Sequence, residues 1–154
     1  ASASVIWDST AGSPLVGAAR FETTGPGQEA GLLRCVALPS VAEVEFRFRH
    51  RSDPVDALRY EITFHDNAQC YTPPWLGGAY YPEGSAEEVG QGWIETRIRL
   101  DVPAEASYAQ LWFGLPGYLP AAIAHVDSVS LVDPDGIFSN DFEQPQIFDA
   151  ICAS

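Results

Sequence analysis

Hydrophobic and polar residues alternate along most of the chain, with a period of two. Apolar residues occupy nearly every second position, mostly with polar or charged residues between, in the stretches Val44 to Phe48, Leu58 to Phe64, Ile94 to Leu100 and Ala109 to Phe113. Successive side chains of a β-strand point to opposite faces, so each stretch predicts a strand with one buried and one solvent-facing side. Such alternation is typical of antiparallel sheets, because parallel strands are usually buried on both faces.

Shorter apolar runs and turn residues complete an all-β pattern. Further strands are predicted at Val5 to Asp8, Arg20 to Thr23, Leu32 to Leu38 and His125 to Val132. Turn-forming residues follow several strands, as in Ser52-Asp53-Pro54, and no convincing amphipathic helix occurs. Seven to nine short strands with regular turns predict an all-β fold, a two-sheet antiparallel β-sandwich of the jelly-roll kind.

Two long segments break this rhythm. Tyr71 to Gly92 has no strand pattern and is rich in aromatic residues, proline and glycine, so it predicts a long functional loop. The last segment, 137–154, follows a strong turn and is unusually apolar for a C-terminus. We therefore divide the chain into a β-sandwich domain at 1–136 and a strand-like tail at 137–154.

Composition excludes several classes of protein. The chain has 154 residues, of which 46% are hydrophobic and 19% charged, which fits one globular domain. A net charge of −13 argues against nucleic-acid binding. Nothing approaches the roughly 18 consecutive apolar residues of a membrane span, so membrane insertion is not expected. The small, polar start Ala1-Ser2-Ala3-Ser4 resembles the end left by signal-peptide cleavage, which predicts a secreted or cell-surface protein.

The three cysteines, Cys35, Cys70 and Cys152, are too scattered for a zinc site, which needs a close pair. An exported protein is expected to oxidise two of them. We prefer Cys35 with Cys70, because this pair would tie two core strands or their ends together. The rival is Cys70 with Cys152, which would tie the tail to the body.

Three passages carry a family resemblance. They are GWIETRIRLDVP from Gly92 followed by SYAQLWF from Ser107, HVDSVSL from His125, and Glu45 to His50 followed by Leu58 to Asp66. In this order they resemble the carbohydrate-binding-module-like jelly rolls, galactose-binding-domain-like sandwiches of secreted bacterial proteins. The resemblance covers roughly residues 20–133. It implies a structural calcium ion held by Asp127, with Glu22 as its partner. The Asn-Gly-Gly-Phe-Glu opening of that family is absent here.

The tail carries a second resemblance. Ile137 to Glu143 is similar to the Phe-x-Asn-Gly-Phe-Glu signature near the C-terminus of many exported proteobacterial proteins, and to the opening strand of the sandwich family. The tail is therefore predicted to dock on its own sheet or on a neighbouring subunit, because an added strand satisfies the free hydrogen bonds of a sheet edge. The apolar residues that would make this contact are Ile137, Phe138, Phe142, Ile147 and Phe148.

Aromatic residues supply candidate ligand contacts, because an aromatic ring offers a rigid apolar platform on which a pyranose can stack. The candidates are Trp75, Tyr80, Tyr81, Trp93 and Tyr118. The alternative interpretation is local: Trp93 and Trp112 pack as strand residues, and Trp75 fixes its own loop.

Arginines occupy the polar positions of several strands, namely Arg47, Arg49, Arg59, Arg97 and Arg99. If those strands are neighbours they form one basic face, which would suit an acidic polysaccharide or the acidic face of another copy. We favour cross-strand pairing with Glu43, Glu45, Glu61 and Glu95.

No nucleophile elbow, Walker loop or dinucleotide-binding glycine motif occurs, and the Glu87-Glu88 pair reads as a solvated turn. The sequence therefore predicts a non-catalytic extracellular module that binds carbohydrate through the loop at 71–92. The alternative is a structural subunit of a cell-surface or extracellular assembly, a filament or layer held by strand or tail exchange. Its partners would be carbohydrate or other copies of itself.

Overall fold

The structure, a computed structural model, describes residues 2–12, 17–38, 40–70, 76–80, 84–134, 139–141 and 149–153. These residues form twelve strands and no helix that could span a membrane. The strands are β1 Ala3–Asp8, β2 Ala18–Thr23, β3 Glu29–Ala37, β4 Glu43–Asp53, β5 Arg59–His65, β6 Gly77–Tyr80, β7 Ser85–Gly90, β8 Trp93–Asp101, β9 Tyr108–Leu115, β10 Ala122–Val132, β11 Ser139–Asp141 and β12 Asp149–Ala153.

The strands form two antiparallel sheets. Sheet A has the order β1-β2-β10-β4-β8-β7, and β11 also pairs with β10. Sheet B has the order β12-β3-β9-β5-β6. The prediction of an all-β, two-sheet antiparallel sandwich is confirmed.

The core lies between the inner faces of the two sheets, where the alternating apolar residues meet. Phe46 and Phe48 of sheet A are fully buried. The Phe48 ring lies edge-on to Tyr60 and Phe113 of sheet B, with centroids 4.8 and 5.0 Å apart. Each buried aromatic contributes on the order of 1.5–3 kcal/mol relative to an exposed position. This layer therefore fixes the register that orients both outer faces.

The strand number exceeds the seven to nine expected, and part of the difference lies in the segment predicted to be a loop. Residues 77–80 form β6 and residues 85–90 form β7, each at the edge of a sheet. The six residues of β7 are all exposed, so its side chains carry no alternating apolar signal. Edge strands are held by backbone pairing, which periodicity cannot detect.

The tail contributes two short strands within the same chain. β11 pairs with Ser130 to Val132 of β10, and β12 pairs with Glu29 to Leu33 of β3. The predicted contact residues Ile137, Phe138, Phe142, Ile147 and Phe148 lie outside the described residues. The domain boundary at residue 136 stays a prediction.

Candidate functional site

An indole platform lies on the outer face of sheet B. Trp112 alternates with the buried Leu111 and Phe113, so its side chain points away from the core. It lies over two glycines that face each other across β3 and β9, Gly31 and Gly114. A Cβ on Gly31 would come within 2.9 Å of the indole Nε1, and one on Gly114 would overlap the ring. Because glycine has no side chain, these two positions leave the space in which the partly exposed Trp112 ring lies against the sheet.

A carboxylate stands beside the platform. Glu61 of β5 lies directly opposite Trp112 of β9, and both residues are partly exposed. Partial burial raises the pKa of Glu61. Within the described part of the chain, Glu61 has no hydrogen bond or ion pair. A partly desolvated acceptor that no described side chain pairs with is a candidate for binding a ligand donor.

Arginine and tyrosine extend this surface toward the end of the sandwich. Arg59 lies opposite Gly114, so it follows the platform along the sheet. One of its Nη atoms donates to the Asp56 carbonyl at 2.6 Å, and the other lies 3.3 Å from the Tyr118 hydroxyl. The Tyr118 ring is 68% exposed. Sheet B thus presents an indole, a carboxylate, a guanidinium and a phenol in sequence along one face.

A disulfide fixes the opposite end of this face. Cys35 of β3 and Cys70, just after β5, form the pair that the sequence analysis preferred. Gln110, opposite Cys35 in the register, donates its side-chain amide to the Cys70 carbonyl at 2.9 Å. The disulfide excludes the Cys70–Cys152 alternative and is consistent with an extracellular protein. It holds Cys70 against the outer face of sheet B.

The predicted ligand residues lie in different parts of the structure. Tyr80 ends β6 directly opposite Glu61, so its backbone lies at the candidate site. Tyr118 is exposed, and its hydroxyl contacts Arg59, which places it on the same side of the molecule. Trp75 and Tyr81 lie outside the described residues.

The prediction that Trp93 contacts a ligand is wrong. It is only 2% exposed and packs with Ala11 and Ala18 on the outer side of sheet A. The Arg51 guanidinium lies 5.0 Å from the centroid of its ring. The segment after β1 covers this tryptophan, so it offers no free face to a ligand.

Trp112, in contrast, is not among the ligand contacts predicted from the sequence, where it enters only in the alternative interpretation as a strand residue that packs locally. The available signal was its phase: among the residues of β9 it alternates with the apolar core positions and shares the polar side with Tyr108 and Gln110. A tryptophan on the polar side of a strand indicates either a covering segment or an exposed platform.

The predicted calcium ligands do not converge. Glu22 lies opposite Ile123 of β10, four residues along the strand from Asp127, which is about 13 Å. Glu22 pairs with Arg20 at 2.8 Å, and an Asp127 oxygen accepts a hydrogen bond from the Ser128 N–H at 2.6 Å. No cluster of three metal-ligating side chains occurs among the described residues. These two residues do not fit a shared ion, and calcium binding stays a prediction without a ligand pair.

The arginine stripe on sheet A is paired with glutamates, as we favoured. The ion pairs are Glu45 with Arg47 and Arg99, and Glu95 with Arg49 and Arg97. Burial acts to raise the pKa of both glutamates, but hydrogen bonds from the arginines outweigh it and hold each pKa below its ordinary value. Arg59 and Glu61 do not belong to this face, because β5 lies in sheet B.

Comparisons with known proteins agree at the level of the fold. No family model matches the chain, and no curated protein matches it. Among solved structures, the enzymatically active domain of tailspike protein 4 from bacteriophage CBA120 superposes with a TM-score of 0.55 at 12% identity, over 80% of this chain and 17% of that chain. Carbohydrate-binding modules of the β-sandwich superfamily superpose with a TM-score of 0.51 at 14% identity, over 85% of this chain and 53% of that chain.

This chain therefore spans only part of each of these two structures. At such low identity the likeness concerns the fold alone, a β-sandwich similar to that of carbohydrate-binding modules.

Proposed function

We propose that this protein is a secreted, non-catalytic module that binds carbohydrate on the outer face of sheet B. The observation that carries the proposal is the Trp112 indole resting on Gly31 and Gly114, with the Glu61 carboxylate beside it. The site predicted from the sequence lay in the loop at 71–92. The proposed site lies on the sheet next to that segment, and Tyr80 belongs to both.

The chemistry of the three groups is complementary to a sugar. The apolar face of a pyranose stacks on an indole, and the ring loses little conformational entropy because it is already supported. A carboxylate accepts charge-assisted hydrogen bonds from neighbouring hydroxyls. A phenol beside a guanidinium offers further donors. Glu61 needs its negative charge for this role, so binding is expected to weaken as Glu61 takes up a proton.

The non-catalytic role is proposed from the same geometry. Glycoside hydrolysis requires two carboxyl groups on either side of the scissile bond. Glu61 is flanked on its strand by Arg59 and Thr63, and across the sheet by Trp112 and Tyr80. The paired acids on sheet A lie on the opposite side of the sandwich.

The first test is a binding assay with the tryptophan removed. We expect affinity electrophoresis in gels containing plant and bacterial polysaccharides to retard the wild-type chain. Trp112→Ala should weaken binding at least about 30-fold, as expected for a central aromatic anchor. Trp7→Ala is the matched control, because Trp7 is a partly exposed tryptophan on the other sheet. Equal binding by wild type and Trp112→Ala would exclude this site, and a lack of retardation on every polysaccharide would exclude the function.

One observation favours the alternative of a structural subunit. Among the described strands, β12 is an edge strand that pairs only with β3, so the same pairing can form between two copies. Size-exclusion chromatography with light scattering of the full chain, and of a chain ending at residue 136, tests this alternative. A monomer in both cases would exclude strand exchange.

A further inference from the structure

The carboxylate of the proposed carbohydrate site has no positive charge beside it. Glu61 is partly exposed on the outer face of sheet B, directly opposite Trp112. Burial alone raises its pKa, and no neighbouring charge contributes to that shift. An opposite charge within about 4–6 Å favours the ionised form of a carboxyl group. A cation at this position would therefore stabilise the Glu61 carboxylate.

The basic side chains of the chain are engaged elsewhere. All eight basic residues are arginines, and the structure describes every one of them. Four of them bind Glu45 and Glu95 on sheet A, and the others, apart from Arg59, also lie away from Glu61. These others are Arg20, which pairs with Glu22, Arg51, which lies over Trp93, and Arg34, which is on the inner phase of β3 opposite Leu111.

Two further side chains of β5 share the outer face with Glu61, but neither acts as its counter-ion. Arg59 is directed to the end of the sandwich, where it donates to the Asp56 carbonyl at 2.6 Å. His65 is buried, and its Nε2 lies 2.8 Å from the Thr63 hydroxyl. Burial lowers the pKa of His65, so its ring is neutral at neutral pH. The described side chains of this face therefore leave the charge of Glu61 unneutralised.

The indole beside Glu61 also favours a cation. The Trp112 ring lies on Gly31 and Gly114 and is partly exposed. The face of an indole attracts a cation more strongly than the ring of tyrosine or phenylalanine does. Residues directly opposite on antiparallel strands have Cβ atoms about 4.5–5.5 Å apart, so one sugar ring on the indole can reach the carboxylate. The two side chains together match a ligand with an apolar face and a positive charge next to it.

The net charge of the protein acts in the same direction. It is −13 at neutral pH, and a field of this sign raises the local concentration of cations and repels anions. The four arginines that bind Glu45 and Glu95 lie on sheet A, on the other side of the sandwich. A cationic ligand is therefore attracted by the whole molecule and meets an unpaired carboxylate on sheet B.

We propose that the site on sheet B selects amino sugars, that is, glycans whose sugar units carry a free, protonated amine. The apolar face of the pyranose would stack on Trp112, and its ammonium group would donate charge-assisted hydrogen bonds to Glu61. A neutral sugar would leave the Glu61 charge without a counter-ion, and an acidic sugar would be repelled by it. This ligand class rests on the proposed carbohydrate-binding function and makes it more specific.

Paired methyl glycosides test the proposal, because the members of each pair differ only in the group at C2. The pairs are methyl β-glucosaminide with methyl β-glucoside, and methyl β-galactosaminide with methyl β-galactoside. The probe is the Trp112 indole N–H signal in two-dimensional NMR at about pH 6, where an amine is protonated, and Trp112→Phe assigns it. We expect at least one amino glycoside to bind about five- to tenfold tighter than its hydroxyl parent. Because the preference is electrostatic and partly exposed, it should fall several-fold between about 20 mM and about 500 mM salt.

Two matched variants locate the preference. Glu61→Gln keeps the size of the side chain and removes its charge, so the amino glycoside should then bind no tighter than its parent. Glu43→Gln is the control, because Glu43 lies on sheet A, and it should keep the wild-type preference. The melting transitions of both variants verify that they fold. If Glu61→Gln binds neither glycoside, the salt dependence of the wild-type preference decides: a preference that salt does not change would overturn the proposal.

Three results would overturn the proposal while the carbohydrate-binding function stands. They are equal binding of amine and hydroxyl in both pairs, a preference that survives Glu61→Gln, and binding of methylammonium as tight as that of the amino glycosides, which would indicate a plain cation site. In each case, retardation on neutral polysaccharides that is lost in Trp112→Ala would still support the function. No shift of the Trp112 signal by any glycoside at ~50 mM, together with no retardation on any polysaccharide, would exclude both.

Discussion

The two outer faces of the sandwich contain similar residue types but use them differently. On sheet A, Glu45 and Glu95 each hold two arginines, and the segment after β1 covers Trp93. On sheet B, Glu61 has no partner among the described residues, and Trp112 lies partly exposed on two glycines. Glutamate and tryptophan are structural on one face and available on the other. Residue type alone therefore does not identify the site; the satisfied or unsatisfied state of its groups does.

The largest effect should follow from a substitution that fills the space beneath the Trp112 ring. In Gly114→Ala the new methyl group overlaps the indole and also lies 2.9 Å from the Ala30 carbonyl oxygen. We expect a loss of about 1–3 kcal/mol in the free energy of unfolding, as for overpacking, together with loss of carbohydrate binding. Urea denaturation and affinity electrophoresis measure the two effects.

Gly117→Ala provides the control for this glycine. Its nearest neighbour is the flexible Glu29 side chain at 3.2 Å, so stability and binding should both stay close to wild type. If Gly114→Ala is as stable as Gly117→Ala, the glycines do not set the position of the indole.

An intermediate effect should separate the two kinds of glutamate. Glu45→Gln removes the charge that holds Arg47 and Arg99, at a cost of about 1 kcal/mol for two partly exposed pairs, and should leave carbohydrate binding unchanged. Glu61→Gln should weaken binding about tenfold without loss of stability at neutral pH. Burial raises the pKa of Glu61, so its ionised form opposes folding there.

Equilibrium unfolding and binding of both variants at neutral pH provide the measurement. The reference variant is Glu43→Gln, because the Glu43 side chain is only partly buried and its nearest carboxylate oxygen lies 4.0 Å from an Arg99 nitrogen. A Glu61→Gln variant that binds like wild type, or a Glu45→Gln variant that loses binding, would contradict the division between the faces.

The smallest effect concerns the histidines. Burial lowers the pKa of His50, His65 and His125, with the Asp8 hydrogen bond partly offsetting it at His125. The unfolded chain therefore binds protons near pH 6.5 that the folded chain does not. We expect the free energy of unfolding to decline gradually as the pH falls from about 7.5 to about 5.5.

Urea denaturation across this range, on the Glu61→Gln background, removes the opposing contribution of that carboxyl group. Comparing His125→Gln on the sheet A side with His65→Gln on the sheet B side divides the slope between the faces. A stability that is constant or increases toward pH 5.5 would show that burial does not keep these rings neutral.

Much of the sandwich could be predicted because its determinants are local. The alternation around Phe46 and Phe48 defines an inner face, and the preferred Cys35–Cys70 pair forms. The platform could not be predicted in this way. Trp112 depends on Gly31, which is distant in sequence and becomes a neighbour only through the register of β3 with β9. In the same way, Trp93 is buried against Ala11 and Ala18, which are distant from it in sequence.

The glycine floor beneath Trp112 has a consequence for how such a site changes over generations. The proposed binding surface requires Trp112, Gly31 and Gly114 together. A single methyl group at position 114 would displace the Trp112 ring and so remove the surface. The site is thus easily lost by one substitution, whereas a sandwich that lacks it must change at several positions before any ring can lie flat. Related chains are expected to keep or lose the tryptophan and both glycines together. A comparison of polar and aromatic residues alone would find the tryptophan but not the two glycines.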